Sequence, residues 1–335
     1  MDAVNLGLIG FGTWPREAYA PVLQSLAGAR VAAVSARSEA TADEARGRFG
    51  DDLKIHADYR DLLADDSVDA VMVAVPNEIH AEVIQAAAGS GKHLFLEPPL
   101  GLDRAEIQAS LAALASSSAI VHADHELRYT PVMERVAQIL NSEPVGEVLG
   151  ATVGLRCNWG YGGGDWLDEV ESQGFFLWLG CWYLDVLDAI FAQTPTRASV
   201  VGGTAMNRTL MDHGWATFEY SGGQLGCFEL NLVSVEEQEV SLRVDCTEGE
   251  IHADLWSGQC EWSARGGSPQ ALLVPCAQPV HGFSGMYESI ASFLDCIRDG
   301  SPSRSGLDVC RRVHEMALAC ARSEAERASV SVESL

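Results

Sequence analysis

The chain has 335 residues, 47% of them apolar, with 22 basic against 47 acidic side chains and a formal net charge of −25. So much apolar material excludes general disorder. So acidic a surface argues against nucleic acid and anionic membranes as partners, because neutralising phosphates needs basic groups.

The length suits one large domain or two ordinary ones. Only two basic residues are lysines, Lys54 and Lys92. All nine cysteines lie from Cys157 onward without a Cys-x-x-Cys pair, so neither a metal site nor a disulfide framework is expected. No stretch is apolar enough to span a bilayer, and Met1-Asp2-Ala3-Val4-Asn5 lacks the basic start of a signal peptide. The expectation is a cytoplasmic protein with reduced thiols. A salt-adapted host and a merely soluble surface both fit the acidity.

In chain order, Val4–Ile9 is an apolar-rich run entering Gly10-Phe11-Gly12. Arg30–Val34 is a second run, followed by helix-like Ala40–Phe49. Val68–Val75 is a third, ending in Pro76-Asn77 and followed by helix-like Ile79–Ser90. His93–Leu96 and Ile120–Ala123 enclose Asp103–Ala115, which has helical spacing. Near-continuous apolar strands separated by helices predict a doubly wound parallel sheet.

After about Thr130 the rhythm changes. Helix-like Thr130–Leu140 leads to β-rich Val148–Arg156, a loop from Gly160 to Gly164, and one long apolar helix over Phe175–Phe191. Alternating short strands over Arg197–Trp262 predict a mostly antiparallel open sheet, and two helices, Gly285–Arg298 and Leu307–Arg327, close the chain. The fold class is therefore α/β. A Rossmann domain spans residues 1–125 and an α+β domain residues 126–335, with a closing helix able to pack back on the first.

Gly10-x-Gly12 follows the first strand and opens a helix, the place of a dinucleotide fingerprint. There glycines allow a tight turn and a close approach of backbone N–H groups to a pyrophosphate. Gly10, Phe11, Gly12, Thr13 and Trp14 are the candidate contacts, although Pro15 stands where the third glycine belongs. A tight structural turn is the alternative. Ser35-Ala36-Arg37-Ser38 ends the second strand without the acid that would accept from an adenosine ribose. Ser35, Arg37 and Ser38 offer donors to a 2′-phosphate, so NADP is expected ahead of NAD, with a solvated arginine as the alternative.

Val75-Pro76-Asn77-Glu78-Ile79-His80, then Gly91-Lys92-His93-Leu94-Phe95-Leu96-Glu97-Pro98-Pro99-Leu100, resemble motifs of the Gfo/Idh/MocA family, the glucose–fructose oxidoreductase and inositol dehydrogenase relatives. Leu127-Arg128-Tyr129-Thr130-Pro131, Gly146-Glu147-Val148, Phe293-Leu294-Asp295 and Ser305-Gly306-Leu307-Asp308 extend the resemblance over essentially the whole chain. The resemblance implies a hydride exchange between NAD(P) and a carbon of a sugar or cyclitol, and a homodimer or tetramer built through the C-terminal sheet. It implies that Val75, Pro76, Asn77, His80, Glu97 and Pro98 lie at the cofactor.

Two family features are replaced. Glu97-Pro98-Pro99-Leu100 falls on the family's Glu-Lys-Pro-Leu, so Pro98, with no titratable group, stands for the lysine. Trp178-Leu179-Gly180-Cys181-Trp182-Tyr183-Leu184-Asp185 falls on Asp-x-Gly-x-His-x-x-Asp, so Trp178 replaces an acid and Trp182 the histidine, and Asp185 alone remains. Spacings of four and three put these three residues on one helix face.

His125 and Tyr183 are the candidate proton donors, with a satisfied buried histidine and a core tyrosine as the alternatives. Asp185 is carried as a further catalytic candidate, with an interior hydrogen bond as its default. Arg128, Tyr161, Asp165, Trp166, Trp178 and Trp182 are the candidate substrate contacts. The indoles point either to a flat, aromatic or cationic small molecule or to plain core packing. Two functions follow: an NADP-dependent oxidoreductase with a nonstandard proton donor acting on a carbonyl, alcohol or imine, or a non-redox member of the family.

Overall fold

The computed structural model describes residues 3–159, 174–206, 210–235, 238–274 and 285–335. The chain divides into two compact units. One comprises Met1–His125 with Gln278–Arg311, the other Glu126–Ala277 with Arg312–Leu335.

In the first unit, six strands form one parallel sheet: β1 (Val4–Ile9), β2 (Ala29–Ser35), β3 (Lys54–His56), β4 (Ala70–Val73), β5 (His93–Leu96) and β6 (Val121–Ala123). Their order, β3-β2-β1-β4-β5-β6, is that of a Rossmann sheet. The central strands are almost wholly buried, which is why they read as unbroken apolar runs. Strand β3 escaped the sequence reading because Lys54-Ile55-His56 is a short edge strand with one apolar residue.

Helices α1 (Ala20–Ser25) and α2 (Glu39–Phe49), with α8 (Met286–Asp299), share one apolar cluster with β1 and β2. Three more helices belong to this unit: α3 (Tyr59–Leu63), α4 (Asn77–Ala88) and α5 (Arg104–Ala115). Their starts follow ordinary capping chemistry, with Ser38 accepting from the Thr41 amide and Asp103 from the Glu106 amide.

In the second unit, a 3₁₀ turn (Glu126–Tyr129) and α6 (Pro131–Ser142) precede a nine-stranded mixed sheet. Its strands are β7 (Val148–Arg156), β8 (Arg197–Gly203), β9 (His213–Glu219), β10 (Leu225–Asn231), β11 (Glu239–Cys246), β12 (Gly249–Asp254), β13 (Gln259–Ala264), β14 (Gln270–Leu273) and β15 (Val330–Ser331). Every pairing is antiparallel except β7 with β10. The expected long helix is a π-helical turn (Phe176–Gly180) running into α7 (Cys181–Phe191), which packs on β7 and β10. The last helix, α9 (Leu307–Glu326), contains the division between the units. Among the described residues, no helix is long and apolar enough to cross a membrane.

The tightest point of the first sheet is the turn after β1. Gly10 has φ +92°, and a Cβ there would sit 2.2 Å from the Ala74 carbonyl oxygen. Both facts demand glycine. Gly10→Ala should therefore lower the unfolding free energy by about 2 kcal/mol or more in urea titrations, whereas Gly12→Ala, with nothing within 4 Å of its Cβ position, should leave it near wild type.

Candidate functional site

The parallel register decides what meets at the C-terminal edge of the first sheet. Ile9 is paired with Ser35 and with Val73, Val73 with Leu96, and Leu96 with Ala123. The residues immediately following, Gly10, Ala74, Glu97 and Asp124, therefore stand in a row along that edge. Gly12 and Thr13 are exposed, and a Cβ at Gly12 would meet nothing within 4 Å. The Phe11 ring turns inward and meets Phe49 edge-on at 5.8 Å, so only its backbone faces the turn.

At the end of β2, Ser35 is half-buried and Arg37 is exposed. Ser38 is engaged as the cap of α2, bonding the Thr41 amide and hydroxyl. After β4, Val75 and Asn77 are half-buried and Pro76 is exposed. His80, one turn into α4, is buried, and burial lowers its pKa to about 4 against the opposing pull of the Pro99 and Val73 carbonyls. It is a neutral core imidazole at physiological pH.

Glu97 is strongly perturbed at this edge. A π-helical turn over Pro15–Tyr19 brings Trp14 and Tyr19 to the same carboxyl oxygen. Trp14 Nε1 donates to Glu97 Oε1 at 2.7 Å, and the Tyr19 hydroxyl donates to the same atom. Burial pushes the Glu97 carboxyl up to about 7, against the hydrogen bonds from Tyr19, Trp14 and Asp124. Trp14, a candidate cofactor contact, thus has its indole N–H directed at Glu97. Pro98 and Pro99, joined by a cis peptide bond, are buried.

Neither lysine is available near this edge. Lys92 is buried and donates to the Asp65 and Val68 carbonyls, each at 2.8 Å. Lys54 donates to both Asp65 carboxyl oxygens at 2.9 Å and to Ser67 at 2.8 Å. All of these partners precede β4, so both cations sit at the opposite, N-terminal edge of the sheet.

In the second unit, Asp185 and Arg128 come together, but in an ion-pair network rather than as separate site groups. Arg128 Nη2 donates to Asp185 Oδ1 at 2.6 Å and to Asp188 Oδ2 at 2.9 Å. Arg312 Nε donates to Asp188 Oδ1 at 2.5 Å. Both carboxylates are fully buried. Burial alone would lower the Arg128 pKa, but Asp185 and then Asp188 more than reverse this, so the guanidinium stays charged. The shared helix face expected for Trp178, Trp182 and Asp185 is thus divided: the indoles are half-exposed while Asp185 is interior.

Tyr183 is placed in the core, its ring stacked on Phe228 of β10 with centroids 5.4 Å apart and 10° between planes. Burial drives its pKa well above the ordinary phenol value, which makes it a poor acid at neutral pH. This placement accords with the core-tyrosine alternative. His125 is fully buried. Tyr161, Asp165 and Trp166 lie outside the described residues. Among the described residues no group of His, Cys, Asp and Glu could hold a metal ion, and eight free cysteines are found.

Sequence reasoning missed Tyr19, His122, Asp124, Ser289, Asp188 and Arg312. The available signal was modest: His122 and Asp124 are polar residues in and directly after an apolar strand.

These features define an α/β protein with a dinucleotide-binding edge. The profile of an oxidoreductase family with an NAD-binding Rossmann fold matches residues 4–125, and the Gfo/Idh/MocA C-terminal domain matches residues 133–252. The chain belongs to the Gfo/Idh/MocA family of oxidoreductases. It is 28% identical over 261 residues to D-xylose 1-dehydrogenase (NADP(+)) 2 of Haloferax volcanii, 74% of each chain. It is 26% identical over 238 residues to trans-1,2-dihydrobenzene-1,2-diol dehydrogenase of Mus musculus, 69% of each chain. Its fold is similar to that of levoglucosan dehydrogenase in complex with NADH and levoglucosan, with a TM-score of 0.86, 18% identity and all of both chains covered.

Two outcomes follow. Arg128→Met leaves Asp185 buried without its cation and should cost about 3–5 kcal/mol of stability in urea denaturation. Glu97 binds its proton more tightly in the folded than in the unfolded chain, so its contribution to stability is fully present below the unfolded pKa, near 4.5, and is lost as pH rises through about 7. Glu97→Gln should flatten that limb of the stability–pH curve.

Proposed function

We propose that the chain is an NADP-dependent oxidoreductase that moves a hydride between the nicotinamide and a carbonyl, alcohol or imine carbon of a small molecule. The observation that carries the cofactor reading is Arg37, exposed at the end of β2 and without a hydrogen-bond or ion-pair partner among the described residues. It is a guanidinium free to pair with a ribose 2′-phosphate. Gly10, Gly12 and Thr13 fit the pyrophosphate, the first by its turn and the second by the open space over it. The name of the Haloferax volcanii relative, an NADP(+) enzyme, supports the same choice.

When bound, the cofactor supplies the hydride chemistry. The residues of this chain must then orient it, keep water from the reacting carbon and manage one proton. With both lysines engaged at the far edge of the sheet, that proton belongs to another group. The half-exposed indoles of Trp178 and Trp182 favour a substrate with a flat or cationic ring face. A relative named for a dihydrobenzene diol supports that class. A small-molecule substrate also accords with the acidic charge of the chain.

A second reading is a family member that binds the cofactor without turnover, favoured by Pro98 in the lysine position. Deuteride transfer from labelled NADPH to cyclic diketones, aldoses or cyclic imines decides between them: stereospecific label in product supports the oxidoreductase, and tight NADPH binding with no label in any product supports the second reading. Arg37→Ala should weaken NADPH binding about tenfold or more while leaving NADH binding near wild type, as read by titration calorimetry.

A further inference from the structure

We propose that the buried chain Ser303–His122–Ser289–Asp124–Glu97 is a proton relay, joining the protein surface to the sheet edge that carries the cofactor turn. The proposal deepens the oxidoreductase reading and rests on it for its purpose, though not for its geometry.

The three outer links are within hydrogen-bond distance. Ser303 Oγ lies 2.9 Å from His122 Nδ1, and His122 Nε2 lies 3.0 Å from Ser289 Oγ. Ser289 Oγ donates to Asp124 Oδ1 at 2.9 Å. Asp124 is hydrogen-bonded to Glu97, whose Oε1 also receives Trp14 and Tyr19. Register explains the inner step. The Asp124 amide bonds the Leu96 carbonyl, so Asp124 and Glu97 are neighbours across β5 and β6. The outer end reaches solvent, because Ser303 is half-buried between exposed Pro302 and Arg304.

The chemistry of the links is that of a relay. A hydroxyl, an imidazole and a carboxyl can each take a proton on one side and release one on the other, which an amide or an apolar side chain cannot. His122 is held for this role, stacked on Phe95 with centroids 5.0 Å apart and tilted against Phe293 at 5.6 Å. Among the groups facing the carboxyl pair are Trp14 and Tyr19 from the turn after β1, Ser289 from α8, and His122 beyond it. Trp14, Tyr19 and Ser289 donate without a formal charge, and two facing carboxylates would repel in a dry interior, so the pair retains one proton. A core at this position needs no such chain, since apolar side chains fill space at lower desolvation cost.

The balance is simple. In reduction, the substrate carbon receives the hydride and its oxygen receives the proton that the Glu97–Asp124 pair surrenders. One proton entering at Ser303 and passing through His122 and Ser289 restores the pair. Oxidation runs the same steps backwards. His122 and Ser289 act through the carboxyl pair and are positioning residues.

The test needs no turnover. Infrared spectra of the full chain without cofactor, wild type minus Glu97→Gln and wild type minus Asp124→Asn, should each show a protonated-carboxyl band at pH 7. On transfer to D₂O that band should shift within the mixing time in wild type, and about tenfold or more slowly in His122→Phe and Ser289→Ala. His122→Phe keeps a ring between Phe95 and Phe293. Ser289→Ala carries the test if the first variant melts early. In turnover with NADPH, both variants should lower kcat with KM unchanged, and imidazole should partly restore His122→Phe. Absence of the carboxyl band at pH 7, or equal exchange rates in all three proteins, overturns the relay. Slowed exchange in a protein that binds no NADPH supports the relay and overturns the oxidoreductase reading instead.

Discussion

The parallel register of β1, β4, β5 and β6 is the constraint on which the first unit depends. Each strand of a parallel sheet ends at the same edge, so the residues that follow are aligned by backbone hydrogen bonds and not by their own attractions. That alignment stands Gly10 against Ala74 and Glu97 against Asp124. The first contact makes the turn glycine obligatory. The second puts two carboxyl groups side by side in a dry interior, where a shared proton relieves their repulsion.

The polar network around Glu97 has a cost that an apolar core would avoid. Trp14, Tyr19, Asp124, Ser289 and His122 each satisfy a buried neighbour, and His122 does so while serving as an aromatic plate against Phe95. In the second unit the polar investment is of another kind. Arg128, Asp185, Asp188 and Arg312 pair charges across three segments of the chain, so α7, the 3₁₀ turn and α9 are tied by ionic hydrogen bonds as well as by packing. One network can move a proton. The other, with permanently charged guanidinium groups, cannot.

Pro98 stands beside Glu97 without a titratable group. A lysine brings its own charge and its own proton to a reacting oxygen. A proline brings neither, and the nearest titratable groups are then the two carboxyls at the strand ends. Their protonation is set by burial, and burial requires that protons reach them along defined hydrogen bonds. Just after β2 the chain carries an exposed guanidinium, Arg37, where an acid would accept hydrogen bonds.

Much of this protein was readable in one dimension. Apolar runs broken by helical spacing implied the doubly wound sheet, the glycine pair implied its turn, and quoted motifs implied the family, because period and turn chemistry are local properties. The position of Lys92 before β5 already excluded it from the working edge. What the sequence could not state was partnership across distance. In sequence Asp185 fits either a site group or an interior hydrogen bond, and Tyr183 either a proton donor or a core ring; in the fold Arg128, 57 positions earlier, lies against the first and the Phe228 ring stacks on the second. The separation of His122 from Ser289 is 167 positions. Only packing selects which polar groups share a dry interior, and desolvation there, not residue type, decides which of them hold charge, which hold protons and which simply fill space.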